Sequence, residues 1–194
     1  MVNFPPLMPS VSWVHNYLLH LMDNHTEAES IIYANGHLET SRDFGRYPIL
    51  DTMGNALTLS LAVEGGGRQL RSVDKISRLN LSGHGDWRKN HLGAWEACLG
   101  RKPFYPYIVE NFTDVYLNED LSTLEEFNTA IFKRIQSFLL GDILNYELKE
   151  LSDKETIRER GKEIAKEMKG EISSLQYLST FGKEALTGIL AIER

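Results

Sequence analysis

Residues 86–107, D-W-R-K-N-H-L-G-A-W-E-A-C-L-G-R-K-P-F-Y-P-Y, constrain the fold more than any other stretch of this chain. Asp86 is a good helix N-cap, and Trp87, His91, Ala94, Trp95 and Cys98 follow at i, i+4, i+7, i+8 and i+11. That spacing lays two indoles, an imidazole and a thiol along one face of a helix. Gly100 is placed to end the helix in a left-handed turn, and Pro103 prevents its continuation. A second segment, 104–117, opens on a cluster of aromatics. A histidine between two tryptophans belongs either to an unusual core or to the wall of a site.

The clearest β signal lies upstream. Residues 47–50 and 56–64 flank a turn at 51–55, and Leu57, Leu59, Leu61 and Val63 alternate with Thr58, Ser60 and Ala62. Period two with one apolar face predicts a strand packed on one side. Gly65, Gly66 and Gly67 then read as a hairpin turn rather than a phosphate loop, because 69–81 returns as a strand candidate and not as a helix. Residues 31–34 form a short strand candidate ended by Asn35-Gly36, and a short helix is expected over 11–22.

The second half is helical. Ser122 and Glu125 have the spacing of a capping box for a helix that stops at Gly141. Residues 142–148 are a strand candidate. Ser152 and Glu155 open a further helix to Gly170, whose outer face pairs Glu155, Glu159 and Glu163 with bases three positions on, as a solvated surface does. The tail 172–192 is amphipathic and divides at Phe181-Gly182. The expectation is one α/β domain over 1–194, with a small mixed sheet flanked by helices and a helix-rich C-terminal half.

Composition bounds the function classes. Charged residues at 25% and hydrophobic residues at 42% are ordinary globular values. A single cysteine allows no internal disulfide and fits a reducing compartment. With no basic, apolar leader and no apolar run near 20 residues, the expectation is a cytoplasmic protein without membrane insertion. The net charge of −6 is uneven: from Arg68 to Lys102 eight basic residues face three acidic ones. That +5 segment suits a small anionic ligand such as a phosphate or nucleotide. No nucleic-acid motif accompanies it, so no nucleic acid is expected as a partner.

Several side chains could build such a site. Arg88 lies just off the tryptophan face and could grip a carboxylate or phosphate with its fork. On this reading it points partly to solvent and its loss changes stability little. Trp87 stands beside it, and Arg46 precedes an extended segment that could bring it to a cleft. Tyr105 and Tyr107 could stack on a sugar or base. His91 is the candidate for proton transfer if a pocket reaches it, and a hydrogen-bonded core residue if none does. His84, Asp86 and His91 match no zinc spacing, so no metal is assigned. Cys98 reads as a buried small hydrophobe.

The order W-x-x-x-H at Trp87 and His91, followed by P-F-Y-x-Y from Pro103 to Tyr107, resembles the WbqC-like family. So do L-M-P-S-V-S-W at 7–13, the strand and glycines at 55–67, and S-S-L-Q-Y-L with F-G-K-E-A-L at 173–186. The resemblance implies an α/β fold and work in bacterial surface-polysaccharide biosynthesis: modification of an activated sugar, or transfer of a small acyl or aminoacyl group. Arg46 and Arg88 would then hold anionic groups and His91 would move the proton. The resemblance names no cofactor. The family's opening glutamine-proline-asparagine-tyrosine run and its glycine-rich region before the closing segment are both missing. Their loss favours the alternative, a non-catalytic binding or assembly protein on the same scaffold.

Overall fold

A computed structural model describes residues 2–3, 8, 11, 14, 29–33, 45–66, 79–140, 146–150 and 172–192. Most of the strand expected over 69–81, the charged helix over 153–169 and most of the helix expected over 11–22 lie outside the described residues. So do Arg68, Arg71, Lys75 and Arg78, half of the basic residues in the +5 segment.

The described residues form five strands and four helices, a helix-rich mixed α/β arrangement. Strands β1 (Val2–Asn3), β2 (Glu29–Tyr33) and β5 (Tyr146–Glu150) make a parallel sheet in the order β1-β2-β5. Strands β3 (Arg46–Leu50) and β4 (Ala56–Ser60) form a separate antiparallel hairpin, with Arg46 opposite Ser60 and Leu50 opposite Ala56. The strands therefore divide between two sheets. Helices α1 (Trp87–Leu99), α2 (Tyr105–Leu117), α3 (Leu124–Leu140) and α4 (Ser174–Ile192) complete the order.

The hairpin forms where the alternation predicts it. Its turn is closed by Asp51, whose carboxylate accepts from the N–H groups of Met53 and Asn55, both at 2.8 Å, and from the Asn55 amide at 3.0 Å. These bonds hold the Asp51 carboxyl below its ordinary value. Tyr47 and Ile49 point inward from β3, and Leu59, Leu61 and Val63 continue the buried face from β4. Leu57 has the same parity but is 42% exposed, although Ile49 opposite it is buried. Beyond β4 the chain pairs once more: Val63 bridges Leu81, and the Ala62 carbonyl accepts from Ser82 at 2.8 Å.

Two local expectations are corrected. Gly100 ends α1 in right-handed geometry, φ −57° and ψ −22°, its N–H still bonded to the Glu96 carbonyl at 3.0 Å. A further turn, with Lys102 donating to Leu99, carries the chain to Pro103, so no left-handed residue is required. The capping box of α3 is one residue later than the spacing first suggests. The Glu126 N–H donates to the Thr123 hydroxyl, while the Glu126 carboxylate accepts from the N–H groups of Ser122 and Thr123. The sequence S-T-L-E-E offers both registers, and Glu126 is the residue whose carboxylate meets those N–H groups.

The core gathers the inner faces of all four helices on the hairpin. Trp95, Tyr47, Tyr116, Phe112, Phe127 and Phe132 are among its largest fully buried side chains. Arg134 of α3 fixes α2 by donating twice to the Asp114 carboxylate and once to the Asn111 carbonyl. Helix α4 breaks at Gly182, φ 76° and ψ 173°, as the Phe181-Gly182 division predicts. Phe104 lies directly against that glycine, and the Phe104 N–H donates to the Ser179 carbonyl at 3.0 Å.

Candidate functional site

The α1 face is buried as its spacing predicts: Trp87, His91, Trp95 and Cys98 all face inward. His91 is enclosed with both ring nitrogens engaged. Nε2 lies 3.1 Å from the carbonyl oxygen of Ser60, and Nδ1 lies 2.8 Å from the hydroxyl of Tyr116. A carbonyl only accepts, so Nε2 carries the proton and Nδ1 is the acceptor. Tyr116 then donates to His91. Its oxygen accepts from the Tyr47 hydroxyl at 2.8 Å, and Tyr47 accepts from the indole N–H of Trp95 at 2.7 Å.

Every donor in this chain points one way, from Trp95 through Tyr47, Tyr116 and His91 to the Ser60 carbonyl. The direction matters for charge. A second proton on His91 would make Nδ1 a donor and reverse both hydroxyls. The Tyr47 hydrogen would then have nowhere to go, since Trp95 is donor-only. Burial adds to this and lowers the His91 pKa to about 4, against the Ser60 hydrogen bond. Burial likewise raises both phenols, so the whole chain is neutral near pH 7. The network ties α1 to both strands of the hairpin and to the end of α2.

Arg88 lies three residues before His91, just off the buried face. Its guanidinium donates to the carbonyls of Tyr116 at 2.9 Å and Leu121 at 3.1 Å. It also lies 4.6 Å from the Trp87 ring centroid and 5.2 Å from that of Phe127. Partial burial lowers its pKa, and the charge of Glu119 acts in the other direction. It therefore fastens the exit of α2 to the start of α1 while remaining half-buried.

Around it opens a cavity of about 400 Å³, lined by Trp87, Arg88 and Lys89, by the Ser82, Gly83 and Gly85 loop, and by Glu64, Asp86 and Glu119. The loop is held by the Trp87 indole, which donates to the Ser82 carbonyl at 3.0 Å. Asp86 occupies the N-cap position of α1 without a side-chain capping bond, and its carboxylate instead lies 3.6 Å from Lys89. The first-turn N–H groups thus have no cap from Asp86, and the positive end of the helix dipole faces this region.

The remaining candidates go elsewhere. Arg46 is exposed at the start of β3 and lines neither this cavity nor the second one described below. Tyr105 is buried, and its phenol is raised by burial and by a hydrogen bond to Glu96. Tyr107 is 56% exposed and lines a second cavity with Phe104, Asn111 and Phe138. The structure therefore brings Trp87 and Arg88 to one cavity, Tyr107 to another, and His91 to neither. Sequence reasoning missed Tyr47 and Tyr116, although each sits on the inward stripe of its element. It also missed Glu64 and Glu119, which only the folded chain brings beside Arg88.

These features define a helix-rich mixed α/β protein with a buried aromatic-histidine network and a polar cavity at the start of α1. The WbqC-like protein family model matches residues 20–187, and the chain belongs to that family. No curated protein and no solved structure gives a match. Among the described residues no helix is long and apolar enough to cross a membrane.

Proposed function

We propose that this chain is a binding protein on the WbqC-like scaffold, holding a small, hydroxyl-rich anionic ligand such as a nucleotide-sugar in the cavity at the start of α1. The observation that carries this reading is the separation of His91 from that cavity. His91, the residue put forward for proton transfer, is committed at both nitrogens to the core. What lines the cavity are binding groups. Arg88 and Lys89 suit a phosphate or carboxylate, the indole of Trp87 offers a flat wall, and three carboxylates can accept hydroxyl hydrogens. A volume near 400 Å³ falls in the usual range for small-ligand pockets. On this reading the protein works in bacterial surface-polysaccharide assembly in the cytoplasm, which its likeness to the WbqC-like family supports.

The second reading is an enzyme that modifies an activated sugar or transfers a small acyl or aminoacyl group. It is favoured by one observation, the presence of Glu64, Asp86 and Glu119 on the same cavity, where a carboxylate could serve as general base. A thermal-shift screen of the full chain against nucleotides, nucleotide-sugars and acyl-carrier analogues, followed by mass spectrometry of the ligand, separates the two. Stabilisation with the ligand recovered unchanged supports the binding protein. Conversion that is lost in Glu119→Gln supports the enzyme. No stabilisation by any class, with ligand well above its Kd, removes both, because a ligand at about 100 times its Kd adds about 2.7 kcal/mol.

A further inference from the structure

We infer that the outer edge of β4 is a pairing surface for a second copy of this chain, the two edges joining antiparallel about a two-fold axis at Leu57. Leu57 and its neighbours in β4 line neither cavity, so this surface stands apart from the ligand site proposed above.

The direction of each backbone group follows from the hairpin ladder. The Asp51 N–H donates to the Asn55 carbonyl at 2.9 Å, and the Leu61 N–H donates to the Gly45 carbonyl at 2.8 Å. Antiparallel pairs alternate between hydrogen-bonded and non-hydrogen-bonded positions. With Tyr47 opposite Leu59 and Ile49 opposite Leu57, the odd-numbered residues therefore bond within the hairpin. The even-numbered residues turn their N–H and C=O groups outward. Pro48, which has no N–H to give, falls at one of these outward positions, as this alternation requires.

The two edges differ. On β3, Pro48 offers no donor, and the Leu50 N–H is taken by the Gln176 side chain at 3.1 Å. On β4, the Ser60 carbonyl is taken by His91 at 3.1 Å. Ala56 and Thr58 remain. Both are exposed, and among the described residues no group meets their outward N–H and C=O. Sheet edges ordinarily carry a lysine, a proline or a bulge that discourages pairing. Residues 52–63 contain no charged residue and no proline. Between the two open positions stands Leu57, an apolar side chain 42% exposed.

A second copy fits this edge because the edge is its own complement. Ala56 and Thr58 lie symmetrically about Leu57, so Ala56 of one copy faces Thr58 of the other at both ends. All four outward N–H groups then find carbonyls, as an isologous contact requires. Leu57 meets its counterpart at a non-hydrogen-bonded position, where Cα atoms approach to about 4.5 Å. The uncharged stretch sets no like charges opposite one another. The His91 bond at Ser60 closes the edge on one side and the turn at 51–55 closes it on the other, so an unrelated strand finds only the same two residues. The product is a four-stranded sheet made of two hairpins. A contact this small belongs to the weak class of interfaces, and the dimer is concentration-dependent.

Sedimentation equilibrium of the full chain, from micromolar to millimolar concentration, tests this. Wild type should pass from monomer to dimer. Thr58→Pro removes one outward N–H and no bond of the hairpin, and Leu57→Lys sets like charges on the axis. Each should weaken association at least about tenfold. Oxidation of Leu57→Cys and Met53→Cys in parallel decides the matter should those variants fold poorly. The pairing brings position 57 within disulfide reach of its counterpart, and holds position 53 about 20 Å or more from its own. Met53 is 85% exposed, so random collision favours bridging there. Cys98 is buried, and the introduced thiol reports alone. Bridging at least about tenfold faster at 57 than at 53 supports the dimer. A chain that stays monomeric throughout, leaving the edge to a strand of another protein, would overturn it. So would association unchanged in either variant, or bridging at 53 as fast as at 57.

Discussion

His91 accepts the hydroxyl hydrogen of Tyr116 at 2.8 Å, across 25 residues of sequence and between two helices. That bond is the middle of a chain in which each group has one role, so removing one hydroxyl disturbs two neighbours. In Tyr116→Phe, the His91 nitrogen loses its donor and the Tyr47 hydroxyl loses its acceptor, both in a closed interior. A loss of about 2–4 kcal/mol is expected, because each buried group left unpaired costs about 1–3 kcal/mol. Chemical denaturation of the variant against wild type measures it. A change below about 0.5 kcal/mol would show that the chain contributes nothing to the fold.

The burial of His91 sets a pH dependence. The folded His91 pKa is lowered to about 4 from an ordinary value of 6.5, so between these values the unfolded chain binds the extra proton. Stability from this residue is fully present above about pH 6.5, falls as pH is lowered through that window, and stops changing below about pH 4. The full span amounts to roughly 3 kcal/mol. Unfolding free energies from pH 7 to 4, for wild type and His91→Gln, should differ in slope over that window and not above it. A His91 imidazole titrating near 6.5 by NMR would contradict the buried, neutral assignment.

Thr123→Ala should cost about 1 kcal/mol, since its hydroxyl accepts the Glu126 N–H at the start of α3. Glu125→Ala should cost less than about 0.5 kcal/mol, because Glu126 and not Glu125 supplies the reciprocal bond. Melting curves of the two variants report which register is used. The opposite order would restore the register that begins at Ser122.

What could be read from the sequence was periodicity and punctuation. The α1 face, the alternation of β3 and β4 and the break at Gly182 all rest on local patterns, and all three are found in the structure. Trp87 and Arg88, adjacent in sequence, also end at one cavity. The partners of His91 were not legible. Tyr47 and Tyr116 approach it from strands and helices distant in sequence, and nothing local marks a tyrosine as a hydrogen-bond donor to a particular imidazole. Arg88 shows the same limit. Its neighbours in sequence suggest a surface position, whereas its acceptors are the carbonyls of Tyr116 and Leu121. The parallel pairing of β2 with β5 joins residues more than 100 positions apart, a relationship periodicity cannot supply.

Arg88 should therefore behave as a structural and a binding residue at once. Arg88→Ala leaves two carbonyls without their donor and uncovers Trp87 and Phe127, and a loss of about 1–3 kcal/mol is expected. Arg88→Lys keeps the charge but cannot serve both carbonyls with a planar fork, so it should recover only part of the loss. Denaturation midpoints rank the three proteins. Equal stability of Arg88→Lys and wild type would mean that charge alone matters at this position.

Gly182 tests the coupling between the helix break and the aromatic wall. Its combination of positive φ with ψ near 180° is a region that essentially only glycine occupies, at a cost of about 1–3 kcal/mol for other residues. In Gly182→Ala that strain adds to the contact with Phe104, whose ring atoms lie 3.0 to 3.1 Å from the new Cβ. A total loss of about 2–4 kcal/mol is expected. The two contributions separate in a double-mutant cycle with Phe104→Ala. Removing the ring relieves the contact but not the backbone strain, so Gly182→Ala should cost less by about 1 kcal/mol in the Phe104→Ala background. Strict additivity would place the whole cost in the backbone. It would mean that Phe104 can move away from the kink, in which case the ring does not depend on Gly182 for its position.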